Sequence, residues 1–463
     1  MSPSRVYRYL KVTMVQKSAY VTLKYVLPIS SYTHYHDVYS EMKGAFISHL
    51  LYPIRYIRRK TFMSSHSATI NQTKSKGGTP ALLALAISAF GIGTTEFVPV
   101  GLLSSIADDL SISITLAGLL ISGYAIGVAI GAPVLTALTS KMSRKSLLMS
   151  LMLLFIVGNS VAALSTSFGL LLVARFITAF SHGIFFSIGS TIAADLVPAH
   201  KRASAIAFMF TGLTVATVTG VPLGTFIGQA FGWRSTFWGV ALLGVVGIIA
   251  SAILVPKNLK EAPPAKFSEQ LKILTNGRLM LAFAITALGY GGTFVAFTYL
   301  TPLLEDVTGF SAKWVSVILL VYGIAVAIGN VVGGKASDKN PLKALFWMFV
   351  LQAIILFALT FAAPFKVAGL IAIFLMGLFA FMNVPGLQIL VVNLAEKYVP
   401  SAVNVASALN IAAFNVGIAI GSFVGGVIVD GIGLIHTPWI GSIMVAGAVV
   451  LTAWLRGIER KDA

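Results

Sequence analysis

The sequence contains no cysteine, which excludes a disulfide framework and a metal site built on thiolates. Charged residues are also scarce, since they make up 10% of the 463 residues, against about 25% in a typical soluble domain. No histidine is followed directly by glutamate, so the helical zinc motif of a metalloprotease is missing. The string closest to a phosphate-binding loop, Gly329 to Ala336, ends in alanine where that loop needs serine or threonine, which argues against an ATP-driven pump.

Hydrophobic residues, by contrast, make up 57% of the chain, and its mean hydropathy is +0.89. A soluble protein could not cover that much apolar surface with a polar exterior. This composition excludes a soluble enzyme, a disordered chain and a coiled coil. The net charge of +18 could indicate nucleic-acid binding, but its residues sit in loops at helix ends, which favours membrane topology.

Runs without charge predict an all-α membrane protein, because a spanning helix needs about 20 mainly apolar residues and lipid satisfies no backbone groups. Twelve such segments follow Pro80, at residues 81–104, 114–138, 146–165, 168–195, 202–228, 235–255, 279–302, 313–333, 342–362, 367–392, 403–427 and 438–456. The connecting loops are short, so no soluble domain is inserted between the spans.

Lysine and arginine predict the orientation of the spans. The loops after even-numbered helices and the C-terminal end hold 17 of these residues, and the alternate loops hold 3. Positive residues mark cytoplasmic loops, so we expect both termini in the cytoplasm. The predicted organisation is a basic disordered extension (1–79), an N-terminal six-helix half (80–256), a cytoplasmic linker (257–278), a C-terminal six-helix half (279–456) and a cytoplasmic tail (457–463).

The extension has 12 lysines and arginines but no apolar run long enough to span a membrane and no signal-peptide cleavage pattern. An over-extended start or a disordered tail accounts for residues 1–62 better than a weak amphipathic surface helix does.

The two halves repeat each other at an offset of 198 residues, which aligns Thr95 with Thr293. Glycines four apart also recur in corresponding helices, and this spacing lets helix backbones approach closely. They lie in helix two (Gly123, Gly127, Gly131), helix five (Gly220, Gly224, Gly228), helix eight (Gly329, Gly333) and helix eleven (Gly417, Gly421, Gly425). We interpret these stripes as the contact between the halves, which leaves helices one, four, seven and ten around a central cavity.

These features resemble the major facilitator superfamily, and more narrowly its twelve-helix drug:proton antiporter group with the sugar and nucleoside efflux permeases. The family's loop motif is degraded after helix two, from Thr136 to Lys145, with Ser140 in place of the acid. A second copy runs from Gly334 to Lys343. Helix four carries the family's arginine as Arg175, and helix five carries a variant of its antiporter motif at Gly220, Pro222, Gly224 and Gly228.

The loop motif predicts a cytoplasmic gate in which basic residues pair with a carboxylate on a neighbouring helix. Asp195 is the expected partner of Lys141 or Arg144, and Asp338 and Lys339 take that part in the second half, near Glu396 or Lys397. The candidate gate residues are Lys141, Arg144, Lys145, Asp195, Asp338 and Lys339. Topogenic charge alone explains them equally well.

Two charged residues, Glu96 and Arg175, lie well within the spans, with His182 as a third titratable group and Asp195 at a margin. A charge inside a membrane is costly, so each is a candidate for function. We interpret Glu96 as the proton-carrying carboxylate, Arg175 as its regulator and His182 as a relay or substrate contact. The alternatives are a static Glu96–Arg175 ion pair and a hydrogen-bonded core histidine.

The second half carries no such charge, because Phe294 occupies the position that matches Glu96. It offers aromatic and amide side chains that suit a neutral solute carrying a ring or hydroxyl groups. The candidate substrate residues are Tyr290, Thr293, Phe294, Phe297, Tyr322, Asn383 and Gln388. Packing among themselves or against lipid is the alternative for each aromatic.

The resemblance implies a secondary transporter, not an enzyme, in a bacterial cytoplasmic membrane. It implies export of a sugar, nucleoside or drug-like solute in exchange for protons, by a monomer without cofactor, metal or nucleic-acid partner. A proton-coupled uptake symporter shares the fold and remains open. A non-transporting sensor or scaffold is the alternative from another class.

Overall fold

The computed structural model describes residues 78–138, 142–198, 202–257, 259, 272–338 and 340–461, with residues 132–138, 202–204 and 404 described by their backbone alone. Nearly all of the predicted extension, most of the predicted linker, and the gate candidates Lys141 and Lys339 therefore lie outside the described residues.

The described chain is all-α and contains no strand. The first six helices are α1 (Gly78–Leu110), α2 (Ile114–Leu138), α3 (Arg144–Leu164), α4 (Phe168–Asp195), α5 (Arg202–Val215, continued by a π-turn at Ala216–Gly220 and by Val221–Phe231) and α6 (Trp233–Leu254). The second six are α7 (Gly277–Phe297), α8 (Ala312–Ser337), α9 (Pro341–Ala362), α10 (Lys366–Tyr398), α11 (Val403–Gly431) and α12 (Thr437–Lys461). After α7 the chain makes a short helix at Leu300–Pro302 and a π-turn at Leu303–Val307.

Within the described residues, 12 helices are long and apolar enough to cross a membrane, which confirms the predicted architecture. Large apolar side chains point out of the bundle, including Leu242 (64% exposed), Ile354 (58%) and Val450 (66%). Such exposure is costly in water and favourable against lipid hydrocarbon. α1 and α10 have 33 residues each, longer than predicted, because both continue past their apolar stretch.

Helix boundaries follow local capping and turn chemistry. Ser143 caps α3 and Asn340 caps α9, each accepting a hydrogen bond from a backbone N–H three residues on. α5 and α6 are separated by Gly232 alone, at φ 85°, a conformation that favours glycine. The caps at Ser143 and Asn340 begin corresponding helices of the two halves.

The repeat seen in the sequence is also a repeat of helix pairing. In the first half α1 packs on α5 and α6, α2 on α4, and α3 on α4 and α6. In the second half α7 packs on α11 and α12, α8 on α10, and α9 on α10 and α12. The halves meet where α2 packs on α11 and α5 packs on α8.

The bundle has two ends with different charge. One end holds the loops after even-numbered helices and the C-terminal end of α12, and we call it the basic end. We call opposite end the end that holds the loops at residues 111–113, 165–167, 298–311, 363–365 and 432–436.

Candidate functional site

A buried polar cluster lies in the first half, where α1, α2 and α4 meet. Pro99 interrupts the hydrogen bonding of α1, because proline has no N–H to donate to the carbonyl four residues earlier. That carbonyl belongs to Thr95, and it accepts a hydrogen bond of 2.6 Å from Nη1 of Arg175. The proline therefore opens a binding position for the arginine inside the span.

Arg175 is bound by backbone oxygen atoms. Nη2 donates to the carbonyl of Glu96 at 3.2 Å, and Nε donates to the carbonyl of Leu120 in α2 at 3.3 Å. Its guanidinium also lies 4.0 Å from the ring centroid of Tyr124. The alternative of a static Glu96–Arg175 ion pair is therefore wrong for this structure: the arginine joins α4 to α1 and α2 through carbonyls and a ring face.

The carboxylate of Glu96 instead faces His182. Its Oε2 lies 3.9 Å from Nδ1 of His182, and the same nitrogen is 3.0 Å from the hydroxyl of Tyr124. The Glu96 side chain keeps 9% exposure and is within electrostatic range of Tyr290 in the second half. Glu96, Tyr124 and His182 thus form one group on the side of the first half that faces the second.

One face of α4 is buried, since Arg175, Ala179, His182 and Phe186, spaced three or four residues apart, are all buried. The ring of His182 packs on Phe186 at 5.0 Å, and Phe186 stacks on Phe210 of α5 at 5.0 Å. The histidine is therefore held by a hydrogen bond on one edge and by aromatic rings on its face.

Asn159 of α3 supports the cluster from behind, and the sequence prediction missed it. Its Oδ1 accepts a hydrogen bond of 2.7 Å from the Thr95 hydroxyl, and its Nδ2 donates to the carbonyl of Phe155. An asparagine in the middle of a span was the available signal.

The second half repeats this hydrogen bond between a threonine hydroxyl and a side-chain amide with different residues. We call the contact in each half the hydroxyl–amide lock. Gln352 of α9 donates from Nε2 to the Thr293 hydroxyl and to the carbonyl of Gly289, and Asn383 of α10 donates to Gln352 Oε1 at 2.8 Å. Thr293 and Thr95 are the residues that the repeat aligns. Thr293 and Asn383 are fully buried in this lock, so they do not line an open cavity as predicted.

A second amide group lies nearer the basic end. Gln388 donates to Ser407, and its Oε1 accepts a hydrogen bond of 2.9 Å from Asn410 of α11. Asn410 in turn accepts from Thr286 of α7 at 2.8 Å. Gln388 therefore joins α10, α11 and α7.

The predicted aromatic residues form a continuous cluster at the centre. Tyr290 contacts Phe294, Phe381 and Phe414, with ring centroids 4.9 to 5.5 Å apart. Phe297 stacks on Tyr322 at 4.9 Å. Phe97, the residue after Glu96, packs on Phe294 at 6.1 Å and on Phe297 at 6.3 Å. The cluster thus extends from the second half to the helix that carries Glu96.

At the basic end of the first half, Arg144 forms an ion pair with Asp195, which is the predicted partner. Lys145 donates to the carbonyls of Ala252 and Val255 at the end of α6, at 2.7 and 2.6 Å. The two basic residues therefore tie the start of α3 to the ends of α4 and α6.

In the second half the corresponding connection uses Lys397, which the prediction placed near the gate, together with residues that it did not include. Lys397 pairs with Glu459 of α12 at 2.9 Å, and Arg278 of α7 lies 3.1 Å from the same carboxylate. Asp338 is exposed at the end of α8. The sequence prediction missed Glu459 because a carboxylate near the C terminus is distant in sequence from both partners.

The halves meet through helices two, five, eight and eleven, as predicted, but the glycine stripes on these helices contact helices of their own half, so their assignment to the contact between the halves was wrong. A Cβ at Gly224 would meet Val98 of α1, and a Cβ at Gly421 would meet the carbonyl of Gly291 of α7. The remaining members follow the same pairs: Gly220 and Gly228 face α1, Gly417 and Gly425 face α7, Gly123, Gly127 and Gly131 face α4, and Gly329 and Gly333 face α10. Periodicity identifies the packed face of a helix but not the helix opposite it.

The π-turn of α5 (Ala216–Gly220) ends at the first residue of the antiporter motif. Pro222 cannot donate to the carbonyl four residues earlier, and the Val221 N–H bonds to Ala216, five residues back. The widened turn brings the backbone of Thr217 and Val218 against Gly323 of α8, where a Cβ would lie 2.7 Å from each. The turn that leads into the motif therefore contributes to the contact between the halves.

Hydroxyl groups join the halves at the opposite end. Thr115 of α2 donates to Asp430 of α11 at 2.7 Å, and Thr301 donates to the carbonyl of Val100 of α1 at 2.7 Å. Glu305 accepts a hydrogen bond from Ser104 of α1, and burial raises the pKa of its carboxyl group. A cavity of about 210 Å³ lies beside Asp430.

Comparison with known proteins agrees with this architecture. The family model of the Major Facilitator Superfamily matches residues 85–407. The chain is 65% identical over 388 residues to the uncharacterized MFS-type transporter YtbD of Bacillus subtilis, covering 84% of this chain and 98% of that protein. It is 40% identical to the inner membrane transport protein YdhP of Escherichia coli, covering 82% of this chain and 97% of YdhP.

A similar fold is found among solved structures. The crystal structure of a D-xylose-proton symporter superposes with a TM-score of 0.65 over 81% of this chain and 97% of the symporter, at 15% sequence identity. At that identity the likeness shows the fold alone.

Proposed function

The chain belongs to the major facilitator superfamily, and from this premise we propose that it exports a small solute in exchange for protons. It is a multi-pass membrane transporter and not an enzyme. The proposal adds direction, coupling ion and residues to that identity. Its sites are Glu96 with His182 for the proton, and the aromatic cluster around Tyr290 for the solute.

The position of Glu96 carries the proposal. Its carboxylate lies among buried groups, and the guanidinium of Arg175 is engaged by backbone carbonyls. Burial and a neighbouring positive charge act in opposite directions on the protonation of a carboxyl group. A group under both influences can gain or lose its proton when the cavity changes its access to water. A fixed ion pair would lack that freedom.

The solute is proposed to bind where Glu96 faces the second half. Tyr290, Phe381 and Phe414 present aromatic faces there. Rings and amides suit a neutral solute with a ring or hydroxyl groups, such as a sugar, a nucleoside or a drug-like compound. The hydroxyl of Tyr322 is buried without a hydrogen-bond partner among the described residues, which adds a polar group beside the rings.

Topology and access follow from charge and contacts. The excess of lysine and arginine at the basic end supports a cytoplasmic location of that end and of both termini. The name of YdhP, an inner membrane transport protein, supports the bacterial cytoplasmic membrane. The hydroxyl contacts between the halves at the opposite end then correspond to a state closed to the outside, and Arg144 and Asp195, which are paired within the first half, belong to the proposed cytoplasmic gate.

The test compares Glu96→Gln with the wild type in inside-out vesicles. Candidate sugars, nucleosides and drugs are first screened for loss of an imposed pH gradient. Glu96→Gln should then retain solute binding and solute exchange but lose transport against a concentration gradient, because the amide cannot release a proton. Asp306→Asn, which changes an exposed carboxylate after α7 in the same way, is the control and should transport normally.

The outcomes separate the candidate functions. Uphill transport by Glu96→Gln with the wild-type pH profile would show that Glu96 is structural. Solute movement with the proton gradient, in the same direction as the protons, would identify an uptake symporter. Binding without proton flux would identify a sensor.

A further inference from the structure

Tyr124 of α2 connects the arginine and histidine of the buried cluster. Its side chain is fully buried, its hydroxyl is 3.0 Å from Nδ1 of His182, and its ring lies under the guanidinium of Arg175. It belongs to neither the predicted proton-coupling residues nor the predicted substrate residues. Its contacts give it a defined effect on the histidine.

The hydrogen bond between Tyr124 and His182 couples the position of the phenolic proton to the tautomer of the imidazole. A phenolic hydroxyl has one proton to donate, and a neutral imidazole has one nitrogen that accepts and one that donates. While Tyr124 donates to Nδ1, that nitrogen carries no proton and the imidazole proton resides on Nε2.

Glu96 faces the same nitrogen. Its Oε2 lies 3.9 Å from Nδ1, beyond the 2.6–3.2 Å range in which a proton passes directly between heavy atoms. Tyr124 and Glu96 therefore compete for one atom, and in this structure the tyrosine occupies it.

We propose that Tyr124 is a positioning residue that keeps the proton on Glu96 by occupying Nδ1 of His182, and that release of this contact lets His182 take the proton. The inference rests on the proposed function, since it names the residue that regulates the proton site. Arg175 acts through Tyr124, because the stacked guanidinium fixes the ring that aims the hydroxyl.

The transfer step is balanced within the cluster. When the Tyr124 hydroxyl leaves Nδ1 and the side chains close to hydrogen-bond distance, the O–H bond of Glu96 breaks and an N–H bond forms on Nδ1. The pair becomes a carboxylate beside an imidazolium. The tyrosine oxygen can then accept from Nδ1–H, so its own proton is never transferred.

The surroundings leave few other groups that could set this balance. The titratable groups that face His182 are Glu96 from α1, Tyr124 from α2 and Arg175 on α4 itself, and Tyr290 of α7 faces Glu96 across the centre. The ring of His182 also packs on Phe186 at 5.0 Å. The proposed competition is therefore local.

The first test reads the tautomer directly, without transport. The full chain is labelled with ¹⁵N-histidine and studied by NMR in lipid bilayers, and the signal of His182 is identified by its loss in His182→Gln. In the wild type the proton should reside on Nε2. In Tyr124→Phe, which keeps the ring under Arg175, the ratio of Nε2–H to Nδ1-protonated forms should fall about fivefold, the equilibrium effect of one hydrogen bond.

A matched control removes another tyrosine hydroxyl outside the cluster. Tyr398→Phe loses a hydrogen bond to Glu459 at the basic end and should leave the His182 signal unchanged. A proton on Nδ1 in the wild type, or the same tautomer ratio in Tyr124→Phe, would overturn the inference. The wild-type spectrum alone decides the first point, even if the variant does not fold.

The second test measures the pH profile of uphill transport. Tyr124→Phe should displace the profile while retaining solute binding, and Tyr398→Phe should match the wild type. A wild-type profile in Tyr124→Phe would contradict the inference, while Glu96→Gln separately tests the proposed function. If Glu96→Gln pumps normally but the tautomer responds to Tyr124→Phe, the proposed function fails and the effect of Tyr124 on His182 stands.

Discussion

The buried centres of the two halves share the hydroxyl–amide lock and differ in the polar group bound beside it. In the first half the lock is Thr95 with Asn159, and in the second it is Thr293 with Gln352. The fourth helix of each half then adds its own donor, which is the guanidinium of Arg175 on α4 and the amide of Asn383 on α10. One half thus holds a buried charge and the other a neutral network on equivalent helices.

This difference shows which part of the repeat serves structure and which part is free to specialise. The hydroxyl–amide lock joins the first helix of each half to its third and recurs although the amides differ. The charged group is found in the first half, where Pro99 leaves a backbone carbonyl available to receive it. Three predictions test this difference between the charged and the neutral half.

The largest effect is expected at the fourth helix. Arg175→Met removes the donors to the carbonyls of Thr95, Glu96 and Leu120, and charged hydrogen bonds of this kind contribute about 1.5–3 kcal/mol each. The variant should unfold at lower temperature in detergent and lose transport. Asn383→Ala, the matched change in the second half, should destabilise by about 1 kcal/mol.

Arg175→Lys sharpens this prediction, because it keeps the charge without the planar fork. It should recover part of the stability and shift the pH optimum or impair coupling. Equal unfolding temperatures for Arg175→Met and the wild type would show that the carbonyl contacts contribute nothing.

The next effect concerns the glycine stripes. Alanine at Gly421 places its Cβ against the carbonyl of Gly291, which is fixed in α7, whereas alanine at Gly224 meets the side chains of Val98 and Thr236. Side chains can repack and a helix backbone cannot. Gly421→Ala should therefore lower the free energy of unfolding more than Gly224→Ala does, within the range of about 1–3 kcal/mol that is typical of overpacking.

Thermal unfolding and transport of the two alanine variants measure this difference. Leucine at either position should block transport while the protein still inserts. The packing argument fails if both leucine variants transport normally, and the contrast between halves fails if Gly224→Ala is the more damaging.

The smallest effect is expected in the shared lock. Asn159→Ala removes the acceptor of Thr95, and Gln352→Ala removes the partner of Thr293, Asn383 and the Gly289 carbonyl. Each should lower the free energy of unfolding by about 0.5–1.5 kcal/mol, with Gln352→Ala the larger because it leaves more groups unpaired. Denaturant unfolding in mixed micelles measures both, and a larger loss in Asn159→Ala would contradict the order.

Most of the fold follows from the sequence because hydropathy acts over each span separately. The twelve helices are confirmed for that reason, and the pairing of halves follows from the aligned threonines. The grouping of Glu96, Arg175 and His182 follows from their positions within apolar spans, where a charge is costly. Such arguments need only the position of a residue along its helix.

The hydrogen-bond and ion-pair partners within the site could not be predicted in the same way. They depend on the rotation of each helix about its axis and on chain segments that are distant in sequence. Arg175 binds the carbonyl of Thr95, which is free because Pro99, four residues later, has no N–H to donate. Glu459 reaches Lys397 because α12 ends beside α10, which no local pattern indicates. The aromatic residues were placed in a cavity, and the structure packs Phe294 and Phe297 against Phe97.

The hydroxyl contacts between the halves at the opposite end have a consequence for the energy supply of the cycle. Each such hydrogen bond contributes about 1 kcal/mol, or about fivefold in a two-state population ratio, so Thr115 and Thr301 together hold the closed form by about 2 kcal/mol. One elementary charge that crosses a membrane potential of 100 mV releases about 2.3 kcal/mol. Under the proposed exchange for protons, the passage of a single proton therefore releases an energy comparable with that needed to break both of these contacts.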